Sequence, residues 1–574
     1  MHKRIIRREY QIDPAHLPAE LPAVLRRVYA ARGISDARLL DNRIERLQTP
    51  DALGGLAQAL DLLEAAVVGG QRILVVGDFD ADGATSTALT LRALRGIGAA
   101  QVDYLVPNRF EFGYGLTPEI VAVAARQRPD LLITVDNGIS SIAGVAAARA
   151  AGMRVLVTDH HLPGAHLPDA DAIVNPNLPG DGFPSKHLAG VGVAFYVMAA
   201  LRGRLREQGW FRARGIDEPN LAHLLDLVAL GTVADVVPLD HNNRVLVEQG
   251  MRRIRAGRAI PGITALLRIA GRNPLRAVAS DLGFAAGPRL NAAGRLEDMS
   301  LGIECLLTDD LNRAQAIAQQ LDLLNRERRD IEADMQSQAL NALSSVQLEE
   351  GALPTGLCVF DAAWHQGVIG ILAARLKERF HRPVIAFARS GVDEIKGSAR
   401  SISGLHIRDC LEAVASRNPG LIQKFGGHAM AAGLSLAEQD LATFMEEFDA
   451  EVCRHLTGDD LHGVIHTDGM LEPGEFSLEV AELLRTAGPW GQNFPEPIFE
   501  GLFEVAGQRV VGERHLKFNL RCPARDATIE AIAFNQDDLA DRTGTQVNIA
   551  YRLDANEFRG NRSLQLVVEY LEPL

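Results

Sequence analysis

Ile73-Leu74-Val75-Val76-Gly77-Asp78-Phe79-Asp80-Ala81-Asp82-Gly83 is the stretch that decides the fold of this chain. Four consecutive apolar residues suit a strand buried on both faces, and the run ends in three carboxylates at alternate positions. Gly83 then allows a tight entry into a helix. Working outward, Leu131–Val135 and Val155–Thr158 repeat the pattern, the first followed by Asp136-Asn137-Gly138 and the second ending in Thr158-Asp159-His160-His161. Helix-like segments separate these strands. Right-handed crossovers then build an α/β, doubly wound parallel sheet covered on both faces, and ligands of such sheets bind outside the carboxyl ends of the strands.

The rest of the chain is read against that sheet. Its 574 residues exceed one core and suggest about four domains at roughly 150 residues each. With 47% hydrophobic and 23% charged residues it has the composition of a globular chain. An N-terminal segment spans 1–55 and the sheet domain 56–255. Residues 256–350 form a helical region ending in a long connecting helix from Leu311 to about Val346. A smaller α/β domain covers 351–455, with strands at Leu357–Phe360 and Val384–Phe387 around a helix at Ile369–Arg379. Short alternating segments in 456–574 (Leu516–Cys522, Thr528–Phe534, Val547–Leu553, Ser563–Tyr570) predict a small β-barrel. Five scattered cysteines with no C-x-x-C pair suggest neither a zinc site nor a disulfide framework, and no signal-type or membrane-length apolar run is present. A cytoplasmic protein is expected. The net charge of −14 argues against general coating of duplex DNA, while acidic cation ligands would contribute to it.

Clustered Asp side chains on rigid strand ends supply the oxygen ligands that Mg²⁺ and Mn²⁺ prefer, and imidazole beside carboxylate suits Mn²⁺. Each word has a plainer reading: Asp80 as a helix cap, the His160-His161 pair as surface, and Asp235, within Gly231-Thr232-Val233-Ala234-Asp235, as a helix C-terminal loop residue. Their placement at three ends of one sheet favours a shared metal site, with Asp159 orienting a histidine.

Asp80-x-Asp82-Gly83, Asp136-Asn137-Gly138, Asp159-His160-His161 and Asp235, in that order, resemble the DHH phosphoesterase superfamily. The words Val106-Pro107-Asn108-Arg109-Phe110, Gly287-Pro288-Arg289-Leu290-Asn291-Ala292-Ala293-Gly294-Arg295 and Gly426-Gly427-His428-Ala429-Met430-Ala431-Ala432-Gly433 resemble its bacterial single-stranded-DNA exonucleases over nearly the whole chain. The resemblance implies two ions, Mg²⁺ or Mn²⁺: one held by Asp80 and Asp136, the other by Asp82, Asp136, His160 and Asp235, with Asp136 bridging and His161 beside the scissile phosphate. Many relatives carry histidine four residues before the first Asp of D-x-D, where this chain has Val76. Arg109, Arg289, Asn291 and Arg295 become substrate-binding candidates. So do His365, Ser398, Arg400, Gly426, Gly427 and His428, in words that resemble the DHHA1 domain. The terminal barrel resembles an OB-fold, and Asn556-Glu557-Phe558-Arg559-Gly560-Asn561-Arg562 reads equally as a strand-binding loop or a charged hairpin turn.

The same resemblance implies a monomeric 5′→3′ exonuclease on single-stranded DNA that releases mononucleotides and works in recombination and repair. Its implied partners are single-strand-binding protein and a recombination helicase. The alternatives are a DHH phosphodiesterase for short oligonucleotides or cyclic dinucleotides, which would need no barrel, and a non-catalytic repair scaffold, which would need no metal ligands.

Overall fold

Ile73, Leu74, Val75 and Val76 are each at most 1% exposed, so the apolar run is continuous because both faces of its strand are covered. The computed structural model describes residues 3–108, 112, 115–345, 353–512, 514–522, 528–536, 545–558 and 560–574. The chain forms two compact units, Arg8–Asn325 with Asp468–Leu574, and Arg326–Thr467 with the N-terminal residues up to Arg7. The first strand, β1 (Arg4–Arg7), therefore belongs to the smaller unit.

In the larger unit the sheet strands are β2 (Arg72–Val76), β3 (Gln101–Leu105), β4 (Leu131–Val135), β5 (Arg154–Thr158) and β6 (Ala172–Val174). They are all parallel, in the order β3-β2-β4-β5-β6. The three strands read from the sequence occupy the centre. The two edge strands lack a long apolar run: β3 is partly exposed and β6 has three residues. Because β2 leads first to one edge and the chain then returns to β4 on the other side, the topological switch point lies between β2 and β4. Both end in candidate ligands. Around the sheet lie α1 (Ala81–Ile97), α2 (Gly190–Glu207), α3 (Leu225–Ala234) and α4 (Gly287–Leu296). The 35-residue helix α5 (Leu311–Ser345) then runs from one unit into the next.

The smaller unit holds β7 (Leu357–Phe360), α6 (Ile369–Phe380), β8 (Val384–Arg389), β9 (Glu394–Arg400), β10 (Lys424–Gly427) and β11 (Ala431–Ala437), in the sheet order β10-β11-β9-β8-β7. Only β7 and β8 in that sheet are parallel. The glycine-containing words at 396–400 and 426–433 lie largely on β9, β10 and β11. β1 pairs in parallel with β12 (Val464–Thr467).

Back in the larger unit, β13 (Phe499–Val511), β14 (His515–Arg521), β15 (Thr528–Ala533), β16 (Gln546–Phe558) and β17 (Asn561–Pro573) form a closed barrel, sealed by the parallel pair β15–β17. Its core is continuous with that of the sheet domain. A buried Arg32–Asp468 ion pair at 2.7 Å ties the N-terminal segment to the residues that lead into the barrel, and the Leu239 N–H donates to the Gln492 carbonyl in the same stretch. Arg562, at the start of β17, pairs with Glu482, while Arg559 lies outside the described residues.

Candidate metal centre

The site grows from the way β2 hands over to α1. Asp80 is the N-cap of α1, and its Oδ1 accepts the amides of Asp82 and Gly83 at 3.0 Å each. The capping reading and the metal reading are therefore compatible, since a carboxylate has a second oxygen. Asp82 is buried, and its two oxygens accept the amides of Gly190 (2.6 Å) and Val191 (3.0 Å) at the N-terminus of α2. A helix N-terminus favours an anion there. Gly190 and Gly231 are required by close approach: a Cβ on the first would lie 2.6 Å from the Asp136 Cβ, and on the second 2.7 Å from Asp82 Oδ1. Gly294 serves the same loop from α4, where a Cβ would meet the Phe79 carbonyl at 1.8 Å.

Asp136, after β4, has φ +61°, the left-handed region that costs an L-residue about 1–3 kcal/mol and tends to persist at functional sites. Asn137 donates to the carbonyls of Val76 and Val135 at 3.1 and 2.9 Å, tying the ends of β2 and β4 together. After β5, Asp159 Oδ1 accepts the amides of His160 and His161 and bonds the His161 ring Nδ1 at 2.7 Å. Its Oδ2 accepts the Ile139 amide. Asn177 and Asn175 hold the carbonyls of His160 and His161. Asp235 caps the C-terminus of α3 and completes the ring.

His160 Nε2 lies 3.1 Å from Asp136 Oδ1 and 3.5 Å from Asp235 Oδ2. Three overlapping groups have ligand atoms within 4.8 Å of one another: Asp78, Asp80 and Asp136; Asp82, His160 and Asp235; and Asp136, His160 and His161. Asp136 Oδ1 and His160 Nε2 are buried without a hydrogen-bond partner. Burial, followed by repulsion from Asp80, pushes Asp82 up to about 7 despite its two amides. Burial and the surrounding carboxylates likewise raise Asp136 and Asp235 well above the ordinary range. Unsatisfied inward-facing ligand atoms and crowded carboxylates are what a hard divalent cation would relieve, so the residues fit Mg²⁺ or Mn²⁺.

The two histidines are driven apart. Burial, then the neighbouring His161 charge, lowers His160 to about 4, leaving a neutral imidazole able to ligate. For His161 burial works against protonation, but the hydrogen bond to Asp159 and its charge prevail and raise it to about 9. One histidine is thus ligand-like and its neighbour cationic.

Asp78 is the residue that sequence reasoning counted in the alternation but left out of the ligand set. It is 3% exposed and joins Asp80 and Asp136 at the position nearest Val76, itself a fully buried strand residue without ligand chemistry. Asn291 accepts the Ala81 amide at 2.8 Å and so holds the start of α1. Arg289 is buried, with Nη2 and Nε on Asp322 at 2.7 and 2.9 Å and Nη1 on the Ala285 carbonyl. Arg295 is half-buried in the last turn of α4. Arg109 lies outside the described residues.

In the smaller unit, pairing sets Gly426, Gly433 and Ser398 side by side across β10, β11 and β9, with Gly427 at φ +148°. Arg400 donates to Ser398 Oγ at 3.2 Å, and a Cβ at Gly370 would lie 2.9 Å from both the Ser398 hydroxyl and the Arg400 guanidinium. His428 bonds through its amide to Ala431, and half-buried His365 accepts the Gly367 amide at 3.2 Å.

A parallel sheet whose carboxyl edge gathers six aspartates and two histidines defines a metal-dependent phosphoesterase architecture. Family models agree segment by segment: the DHH family N-terminal domain at residues 72–232, the DHHA1 domain at 354–453 and the RecJ OB domain at 467–570. The chain is 57% identical over 560 residues to the single-stranded-DNA-specific exonuclease RecJ of Dickeya dadantii, covering 97% of each. It matches the crystal structure of Thermus thermophilus RecJ in complex with Mn²⁺ at a TM-score of 0.82 and 31% identity, over 100% of this chain and 79% of that one. The Mg²⁺ complex of the same protein gives 0.76 and 30%, over 100% and 78%. The chain belongs to the RecJ family.

Proposed function

We propose that this protein is a divalent-metal-dependent exonuclease that hydrolyses single-stranded DNA in the 5′→3′ direction and releases mononucleotides, in DNA recombination and repair. The observation that carries the reading is the buried, unpartnered pair Asp136 Oδ1 and His160 Nε2 at the centre of the aspartate ring. In this reading Asp78, Asp80 and Asp136 would hold one cation, and Asp82, Asp136, His160 and Asp235 would hold the second. When bound, two such ions supply Lewis acidity to the phosphoryl oxygens and water activated for in-line attack.

The chain's own residues do the rest. The amides of Gly190 and Val191 fix Asp82 in one orientation. Neutral His160 offers Nε2 as a ligand. Cationic His161, held through Nδ1 by Asp159, faces developing negative charge on the scissile phosphate. Asn291 and Gly294 keep the strand-end loop in place, so the ligands need little reorganisation. Arg109, Arg295 and the group His365, Ser398, Arg400, Gly426, Gly427 and His428 are assigned to the phosphates of the strand, where guanidinium forks and glycine-exposed amides suit anions. Arg289 is assigned a supporting role through Asp322. A monomer acting in the cytoplasm with single-strand-binding protein and a recombination helicase is the setting proposed for it.

The test uses single-stranded and blunt duplex DNA labelled at either end, with Mg²⁺ or Mn²⁺, beside Asp136→Ala. Mononucleotides from the 5′ end of the single strand alone, with inert variant and metal-free samples, support the reading. Binding without cleavage under either metal would make the chain a scaffold.

A further inference from the structure

Next to the metal centre the larger unit carries a cavity of about 340 Å³. Its lining adjoins the site along the chain, because Asp235 is followed by Val236 and Val237, and both line the cavity. Val236 has φ +61° and is 62% exposed, so a β-branched side chain is held in a conformation such residues rarely adopt without gaining burial from it. Phe284 lines the same cavity at 80% exposure, in a π-turn at Leu282–Ala286 of the kind that often marks functional sites. That turn is seated on α3. A Cβ at Gly283 would lie 3.1 Å from Val233 Cγ1, and one at Gly287 3.2 Å from the Ala234 Cβ. Trp490 supplies a fixed wall, its indole N–H donating to the Leu484 carbonyl at 2.8 Å and its ring stacked on Phe494.

The charge at this cavity suits an anionic polymer. Arg255 and Arg485 line it, each bonded to a backbone carbonyl and 3.5 Å from its nearest carboxylate. The one acidic lining residue, Glu496, is engaged by Arg552 at 2.9 Å. A flat apolar ligand attached to phosphates matches this combination of exposed aromatic ring, aliphatic rim and guanidinium edge.

We propose that this cavity is a nucleobase subsite, taking the unstacked base of a nucleotide beside the cleaved phosphate, with its ring against Phe284 and Val236. The inference rests on the reading of the centre as one that cuts single-stranded DNA. Gripping a base close to the reacting phosphate fixes the strand's register and disfavours duplex, whose bases are paired and stacked.

The experiment measures kcat/KM for 5′-nucleotide release from single-stranded oligonucleotides in which one abasic residue is walked through the first six or so positions, for the full chain, Phe284→Ala and Phe284→Trp. Hydrolysis of bis(p-nitrophenyl) phosphate, which carries no nucleobase, reports the metal chemistry separately. The expected wild-type profile loses on the order of tenfold at one position. Phe284→Ala loses the same factor on intact DNA and shows no dip at that position, Phe284→Trp restores both, and the small ester is cleaved equally by all three. A dip that persists in Phe284→Ala, or a flat wild-type profile, overturns the subsite. So does an unchanged profile combined with lost binding of an acidic, apolar peptide, which would make the cavity a protein-docking site. A wild-type chain that releases no nucleotide from any strand overturns the exonuclease reading itself.

Discussion

Asp136→Asn is predicted to stabilise the metal-free protein while abolishing its response to metal. Asp136 is 1% exposed, and its ligand atom lies within 4.8 Å of those of Asp78 and Asp80. At an effective dielectric of about 20, two carboxylates at such a separation repel by about 3 kcal/mol. Proton uptake limits what the fold must bear, so a net gain of about 2–3 kcal/mol is expected from removing the charge. Spread over the unfolding entropy of a unit of roughly 425 residues, at about 2 cal/mol/K per residue, that raises Tm by about 2–3 °C. The pH dependence follows from the neighbours. The folded-state pKa of Asp82 is raised to about 7 from an ordinary value near 3.8, so its contribution to stability is present at low pH and lost as pH rises through about 7. The advantage of Asp136→Asn in chelator should therefore be small at pH 5 and largest at pH 8. Added Mn²⁺ should reverse the order by stabilising the wild type alone. Scanning calorimetry at pH 5, 6.5 and 8, with chelator or Mn²⁺, measures all of this. A variant less stable than wild type in chelator at pH 8, or one still stabilised by Mn²⁺, would refute the argument that crowded carboxylates await a cation.

Other consequences are as direct. Asp159→Asn removes the group that holds His161 near 9, so the basic limb of the kcat–pH profile should move to lower pH by about one unit or more, while the Mn²⁺ requirement changes little. Asp78→Asn should raise the Mn²⁺ concentration for half-maximal activity about tenfold with a smaller effect on the rate at saturation; an unchanged metal titration would remove Asp78 from the ligand set. Arg289→Ala removes a buried guanidinium bonded to Asp322 and the Ala285 carbonyl and should cost about 1–3 kcal/mol in denaturant unfolding, whereas an arginine used only for substrate phosphate would leave stability intact.

Much of this protein was legible without coordinates. The three central strands were visible because a strand covered on both faces needs an unbroken apolar run, and the ligand words because they stop those runs abruptly. Edge strands β3 and β6 carry no such run, and β9 to β11 in the smaller unit are rich in glycine and serine, so neither signal reaches them. The barrel was recognised from four of its five strands, β13 being the one missed.

By itself the sequence determined which residues are chemically able to act and at which end of the sheet they stand, since burial periodicity and side-chain type are local properties. Tertiary structure decided what each of them is. The amides that fix Asp82 come from Gly190 and Val191, far along the chain, and the carboxylate that occupies Arg289 comes from α5. Adjacent histidines of one word acquire different charge states because burial and its neighbour's charge keep one neutral while the other is hydrogen-bonded to Asp159. Charge, protonation and hydrogen bonding depend on distances between segments remote in sequence, and only the folded chain sets those distances.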